Sequence, residues 1–408
     1  MIYYRLFVFL FYFLPFAALA ALAKWRFWVS RLEPRVSIEE GSRTDAGNAM
    51  KRVGNLWERL VSFPNLLRAA RKARKGKRDR RDVAAFEFEV ERELLRIRAE
   101  LQAGAFPFGP YHTFTITEPK PRLISAAPYR DRVVHHALCN VLEPIYECSF
   151  ISDSYACRTG KGTHAAVRRC HEFAGRFPWV LKCDIRKFFP SIDHDILKAQ
   201  LARKIKDRRV LDLTGRAIDH SNEQEPVIES FPGDHLFTFD ERRHGLPIGN
   251  QTSQFFGNVY LDALDHFVTD RLAVRGYVRY VDDFVLFGAS KQELHGARER
   301  VACFLETLRL RLHPDKTMVF PTAQGIRFLG YRVFGSHVRL ARESVVRFRR
   351  RIRDWRADAT ANRLDRQHLL QSVSSWLGHA VHAATNRLRE RMLCECSDAL
   401  KPVSAAGR

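Results

Sequence analysis

Cysteine is sparse in this chain, and its spacing matches no binding pattern. Eight occur in 408 residues, at positions 139, 148, 157, 170, 183, 303, 394 and 396. None forms a C-x-x-C pair, which excludes a zinc ribbon or finger and a secreted disulfide framework and fits reduced, cytosolic thiols. Acidic residues are also few. The 46 Asp and Glu are outnumbered by 68 Lys and Arg, leaving a net charge of +22. A globular chain with that excess is matched to a polyanion, either nucleic acid or an anionic membrane surface. No segment recurs with a period of 20 to 50 residues, which excludes a solenoid. A hydrophobic content of 46% with 12% aromatics excludes a disordered chain.

Long apolar runs are absent, with one exception. Residues 6–23 (LFVFLFYFLPFAALAALA) are 18 uncharged positions after Arg5, ending in small side chains. Alone, that run reads as a signal peptide or membrane anchor. The remainder does not look exported, and Met50 opens a plausible cytosolic start. Residues 1–49 are therefore read as a start placed too far upstream and outside the fold. The expected location is the cytoplasm, and no membrane partner is expected.

Two basic runs stand out, at 68–81 (RAARKARKGKRDRR) and 347–356 (RFRRRIRDWR). Each alone is an ordinary solvated helix face. Periodicity predicts two helices over 55–101 separated by the first run, a break at 104–110, and interrupted strands over 111–124. Further helices are expected over 131–148, over 193–206 with Ser191 or Asp193 near the cap, over 251–272 and over 291–310. A short strand is expected at 180–185, a loop insertion over 222–245, a strand pair over 326–340 turning at Gly335 and Ser336, and basic helices from 343 onward. Strands interleaved irregularly with helices indicate an α+β core with an all-α C-terminal portion.

The most informative segment is Tyr280-Val281-Asp282-Asp283. It lies between Gly276-Tyr277-Val278-Arg279 and Phe284-Val285-Leu286-Phe287-Gly288, two strand-like runs joined by a tight acidic turn. Adjacent carboxylates repel, so the tip either stays solvated or holds a cation, for which magnesium is the natural candidate. A further carboxylate, Asp184, ends the apolar run Leu181-Lys182-Cys183. Three carboxylates from two strands match the needs of two-metal phosphoryl transfer, in which one ion activates a primer 3′-hydroxyl and the other holds the triphosphate.

These motifs, in this order, resemble a bacterial reverse transcriptase over about 120–331. The resemblance implies a right-hand polymerase fold: an N-terminal basic helical extension over 50–101, fingers and palm over 102–340 with the YVDD hairpin in the palm, and a helical thumb and tail over 341–408. It makes Asp184, Asp282 and Asp283 the catalytic carboxylates, holding two magnesium ions, or manganese in their place, with the backbone carbonyl of Ile185 as a further ligand. It places Lys120 and Arg122 (EPKPRLISA) on the incoming triphosphate, where arginine can hold phosphate oxygens bidentately. Phe189 falls at the aromatic steric gate against the ribose 2′-hydroxyl. Lys316 lies near the nucleotide phosphates, and Phe328-Leu329-Gly330-Tyr331 forms the primer grip.

One stretch departs from retroviral and group II intron enzymes. In Gly245-Leu246-Pro247-Ile248-Gly249-Asn250-Gln251-Thr252-Ser253-Gln254, Ile248 replaces their glutamine and Gln254 their proline. The form with Ile248 and Gly249 at the nucleotide resembles the enzymes of diversity-generating retroelements and defence-associated groups, and implies loosened discrimination. The implied activity is RNA-directed DNA polymerisation in a prokaryotic retroelement or anti-phage system. Its partners would be an RNA template, a DNA primer or RNA–DNA hybrid, dNTPs, and a cognate noncoding RNA or small accessory protein. A group II intron role fits less well, since the assigned segments leave no maturase or endonuclease part. The rival from another class is a non-catalytic RNA-binding or membrane-tethered protein on a polymerase-like fold.

Overall fold

A computed structural model of the protein describes residues 52–117, 121–222, 224–235, 237–361 and 363–399. The apolar run at 6–23, and with it the expectation for residues 1–49, lies outside them. No helix among the described residues is long and apolar enough to cross a membrane. All eight cysteines are free.

Four antiparallel strands form the centre, in the order β4 (Gly276–Tyr280), β5 (Asp283–Gly288), β3 (Trp179–Asp184), β6 (Met318–Pro321). Alternation along these strands divides their side chains between two cores. Leu181, Cys183, Tyr277, Phe284 and Leu286 join the larger one. Helices Tyr129–Glu147, Gln251–His266 and Lys291–Thr307 build that core against the sheet. Val180, Val278, Val285 and Phe287 point to the opposite face and join the second core, which helix Thr163–Ala174 covers. The strand expected at 180–185 and the hairpin at 276–288 are thus present, and β6 was not foreseen.

A separate three-stranded sheet follows, β7 (Ile326–Phe328), β8 (Tyr331–Val333) and β9 (Val338–Leu340). The expected strand pair is therefore three strands. A second turn forms at Leu329 and Gly330, where both residues have positive φ (50° and 85°), the left-handed pairing of a two-residue hairpin. The hairpin β1 (His112–Ile116) and β2 (Arg122–Ala126) stands apart with β1 wholly exposed.

The expected two helices over 55–101 are in fact four: Trp57–Val61, Phe63–Ala73, Arg81–Phe88 and Val90–Gln102. Ser62 caps the second by accepting from the Asn65 N–H, and the first part of the basic run belongs to this helix. Its cations line one face, while Leu66, Ala69, Ala70 and Ala73 are buried on the other, so charge did not break the helix. Asp193, not Ser191, caps helix His194–Lys204, accepting from Ile196 N–H at 3.0 Å. Helix Gln251–His266 ends in a π-turn over Phe267–Arg271. Segment 222–245 is largely irregular, as expected, with one short helix at Thr238–Glu241.

Three C-terminal helices, Arg342–Thr360, Arg366–Ala380 and Asn386–Ala399, form the all-α portion. Phe348, Ile352 and Trp355 recur at helical spacing and are buried, each contributing about 1.5–3 kcal/mol. Phe348 stacks on Trp376 of the second helix, ring centres 4.3 Å apart. The arginines of 347–356 occupy the exposed face.

Candidate active site

The register of the central sheet sets Asp184 directly opposite Asp283, so both carboxylates leave the same face of neighbouring strands. Asp282 occupies the two-residue turn between Tyr280 and Asp283. The turn is anchored to β3 by Ile185, whose N–H donates to the Asp282 carbonyl at 3.2 Å. The end of β3 is fixed in turn by His313, whose N–H donates to the Asp184 carbonyl at 2.7 Å. Three carboxylates therefore lie at the same end of strands β3 and β5.

Their electrostatics follow from burial. Burial pushes Asp283 up to about 7, with Lys182 opposing and the charges of Asp282 and Asp184 adding to the rise. Asp282 is raised too, first by burial and then by Asp184, while Arg122 and Lys316 pull it back. Asp283 Oδ1 is buried without a hydrogen bond. Two ammonium groups stand against the cluster. Lys316 Nζ donates to Asp184 Oδ1 at 2.7 Å, and Lys182 Nζ lies 3.5 Å from Asp283 Oδ1. Among the described residues, no three His, Cys, Asp or Glu side chains are grouped closely enough to hold a metal ion as they stand.

Arg122 opens β2, and its charge acts on Asp282. Lys120 lies outside the described residues. The Ser125 N–H of β2 donates to the Ile248 carbonyl at 3.0 Å. Gly249, at φ +128°, lies so close that a Cβ would sit 3.1 Å from the Ser125 carbonyl oxygen. Glycine is required there by both conformation and space. This contact ties Ile248 and Gly249 to the strand that carries Arg122. Phe189 sits half-buried in the short helix Phe188–Ser191, its ring 5.2 Å from Phe188. Gly257 lets helix Gln251–His266 approach both rings, since a Cβ there would lie 3.2 Å from Phe188.

Phe328, Leu329, Gly330 and Tyr331 belong to the separate sheet, not to the carboxylate cluster. Lys182 joins the two, its Nζ also donating to the Arg327 carbonyl at 2.7 Å. Tyr331 Oη donates to the His379 carbonyl at 2.7 Å and lies 3.2 Å from His164 Nδ1. It thereby fastens the turn to helix Arg366–Ala380 and to helix Thr163–Ala174.

Sequence reasoning missed four residues that shape the site. Lys182 shares a strand face with Asp184, and the signal was a lone lysine in an apolar strand. Arg279 and Asp265 are both fully buried and paired through two contacts of 2.6 Å. The signal for Arg279 was again a single charge inside an apolar strand, and Asp265 lies fourteen residues away on a helix. Val281, a β-branched residue, has φ +57°, a conformation costing about 1–3 kcal/mol.

Beside Asp184, the irregular segment 225–234 folds over four cations. Glu225 meets Lys187 at 2.7 Å, and Glu229 meets Arg186 at 3.4 Å and Arg311 at 3.3 Å. Asp234 holds Arg309 through two contacts of 2.6 and 2.9 Å. The Phe231 ring lies 4.9 Å from both Arg309 and Arg311.

A family model described as reverse transcriptase (RNA-dependent DNA polymerase) matches residues 116–333. The chain belongs to the reverse transcriptase family, the RNA-directed DNA polymerases, and its α+β core with a YVDD hairpin and an all-α C-terminal thumb is the right-hand polymerase fold. Among particular relatives, protein YkfC of Escherichia coli (strain K12) is 27% identical over 296 residues, covering 62% of this chain and 74% of that protein. The group II intron-encoded protein LtrA of Lactococcus lactis subsp. cremoris is 23% identical over 307 residues. That match covers 59% of this chain and 49% of LtrA, so the chain spans about half of that relative's length. Apo telomerase from Candida tropicalis, truncated from its C-terminal domain, aligns with a TM-score of 0.41 at 14% identity, over 57% of this chain and 55% of that one.

Proposed function

We propose that this protein adds dNTPs to a primer 3′-hydroxyl on an RNA template, with Asp184, Asp282 and Asp283 as the catalytic carboxylates. The observation that carries the reading is the β3–β5 register, which puts Asp184 opposite Asp283 beside the Asp282 turn. The donor set fits a hard divalent cation. It offers carboxylate oxygens, one of them buried without a hydrogen bond, and the Lys316 and Lys182 ammonium groups stand where positive charge is wanted. Magnesium prefers such oxygens, with manganese an alternative. Two bound ions would supply activation of the primer hydroxyl and stabilisation of the leaving pyrophosphate.

The chain's own residues do the rest. Lys316 exchanges Asp184 for a nucleotide phosphate, freeing the carboxylate and neutralising the triphosphate together with Lys120 and the fork of Arg122. Ile248 and Gly249, tied to β2, present backbone to the nucleotide. Phe189 closes the sugar side against a 2′-hydroxyl. The Leu329–Gly330 turn supports the primer end, and the arginine face of helix Arg342–Thr360 follows duplex phosphates without reading bases. The intron-encoded relatives support a retroelement setting over a defence one, and a template RNA with a cognate noncoding RNA or accessory protein completes the assembly.

The test is primer extension on an RNA template with Mg²⁺ and dNTPs, with and without the cognate noncoding RNA. Wild type incorporates and Asp283→Ala does not. Equal incorporation by the two, or none by wild type with the RNA supplied, would sink the reading. Paired template and variable repeats near the gene would mark a diversity-generating element.

A further inference from the structure

The turn that carries Asp282 is not one its own residues favour. Two-residue hairpin loops with left-handed backbone normally use Asn or Gly, yet Val281 stands at φ +57°. A β-branched residue enters that region only when held there from outside. Two hydrogen bonds do so. Ile185 N–H donates to the Asp282 carbonyl, and Arg279 Nη1 donates to the Val281 carbonyl at 3.2 Å.

The arginine has no freedom to do otherwise. Its Nε and Nη2 donate to the two oxygens of Asp265, each at 2.6 Å. Nη1 also reaches Asn258 Oδ1 at 3.2 Å. Asp265 is fixed further by Tyr277 Oη, which donates to it at 2.8 Å. The backbone of Arg279 is fastened on its outer side, its N–H donating to Asp153 and its carbonyl accepting from Tyr155, both at 3.0 Å. Every group around the guanidinium is thus placed so that one arm is aimed at the turn. A buried ion pair is a poor way to stabilise a core, since apolar side chains of similar size do as well or better. Its geometry here serves a position.

We propose that Arg279, oriented by Asp265, is a positioning residue that clamps the strained turn and so sets where Asp282 sits relative to Asp184. This rests on reading Asp282 and Asp184 as the catalytic carboxylates.

Arg279→Lys keeps the charge toward Asp265 but lacks the planar fork that reaches the turn as well. Three quantities would be measured in wild type and variants: kcat and KM for primer extension, the magnesium concentration giving half-maximal rate, and the rise in Tm that magnesium causes without nucleic acid. The expected result for Arg279→Lys is a fall in kcat of about tenfold or more, as for a misplaced reacting group. KM for primer-template stays within about twofold, the magnesium requirement rises, and the magnesium-induced Tm rise shrinks. Glycine takes the left-handed conformation without help, so Arg279→Lys/Val281→Gly should recover much of the lost kcat. A purely structural role for Arg279 gives no such rescue. Should Arg279→Lys fail to fold, Tyr277→Phe removes a single hydroxyl from the same clamp. It should lower kcat in the same sense, again with rescue by Val281→Gly. Wild-type values in Arg279→Lys or Tyr277→Phe, or a loss that Val281→Gly leaves untouched, overturn the proposal while wild type still extends primer. Wild type that neither extends primer nor responds to magnesium removes the catalytic reading, and this proposal with it.

Discussion

Asp283→Asn should make the metal-free protein more stable at alkaline pH while abolishing polymerisation. Burial moves the Asp283 carboxyl from an ordinary 3.8 to about 7, so the folded state binds its proton more tightly than the unfolded chain does. The sign follows directly. Below about pH 4 both states are protonated and nothing is lost. As pH rises toward 7, stability falls, and above 7 the whole cost of the buried carboxylate, net of its Lys182 partner, is present. Each pH unit across that window is worth about 1.4 kcal/mol, giving on the order of 4 kcal/mol at pH 8 and about 1.5 at pH 5. The side chain keeps 22% of its surface in water, and solvent screening reduces these to about 2–4 and about 1 kcal/mol. The assay is urea unfolding of wild type and Asp283→Asn at both pH values with divalent ions chelated. A variant no more stable than wild type at pH 8, or an advantage that does not shrink at pH 5, refutes the reasoning. Adding magnesium at pH 8 should raise wild type and narrow the gap, because a bound cation relieves what the asparagine removes.

Three further outcomes are expected. Gly249→Ala forces a Cβ to 3.1 Å from the Ser125 carbonyl at φ +128°, a strain of about 1–2 kcal/mol; steady-state kinetics should show KM for dNTP rising about tenfold, more than kcat falls. Gly330→Ala at φ +85°, with His379 Nε2 at 3.3 Å from the new methyl, should cost about 1–2 kcal/mol in urea unfolding. Arg347→Ala/Arg353→Ala, on the exposed face of helix Arg342–Thr360, should lower the slope of log K against log salt for duplex binding by about one for each phosphate no longer neutralised, with the rate at saturating duplex little changed.

The parts legible in the sequence were those with local patterns. Short apolar runs marked β3, β4 and β5, and the Asp-Asp pair marked the turn between β4 and β5. Order along the chain then tied Asp184 to that turn. What escaped is non-local. Arg279 and Asp265 look like stray charges until a strand and a helix bring them together, and Lys182 gains meaning only when the register places it beside Asp283. The helices at Thr163–Ala174 and Arg208–Asp219 passed unread, although each carries a buried face. The four N-terminal helices merged into two because single residues, Ser62 and Glu89, separate the members of each pair, and the basic run begins inside a helix whose alanine and leucine side is buried. Lys316 stood out by its order along the chain, but its hydrogen bond to Asp184 was not foreseen.

The segment at 225–234 behaves as a built-in counter-ion. Lys187, Arg186, Arg311 and Arg309 are already matched to Glu225, Glu229 and Asp234, so the small ions they would otherwise condense left when the chain folded. A polyanion arriving beside them releases none from these positions, and the entropy of ion release comes from cations elsewhere, among them the basic faces at 68–81 and 347–356. The net charge of +22 therefore overstates how many cations can release ions to an arriving polyanion.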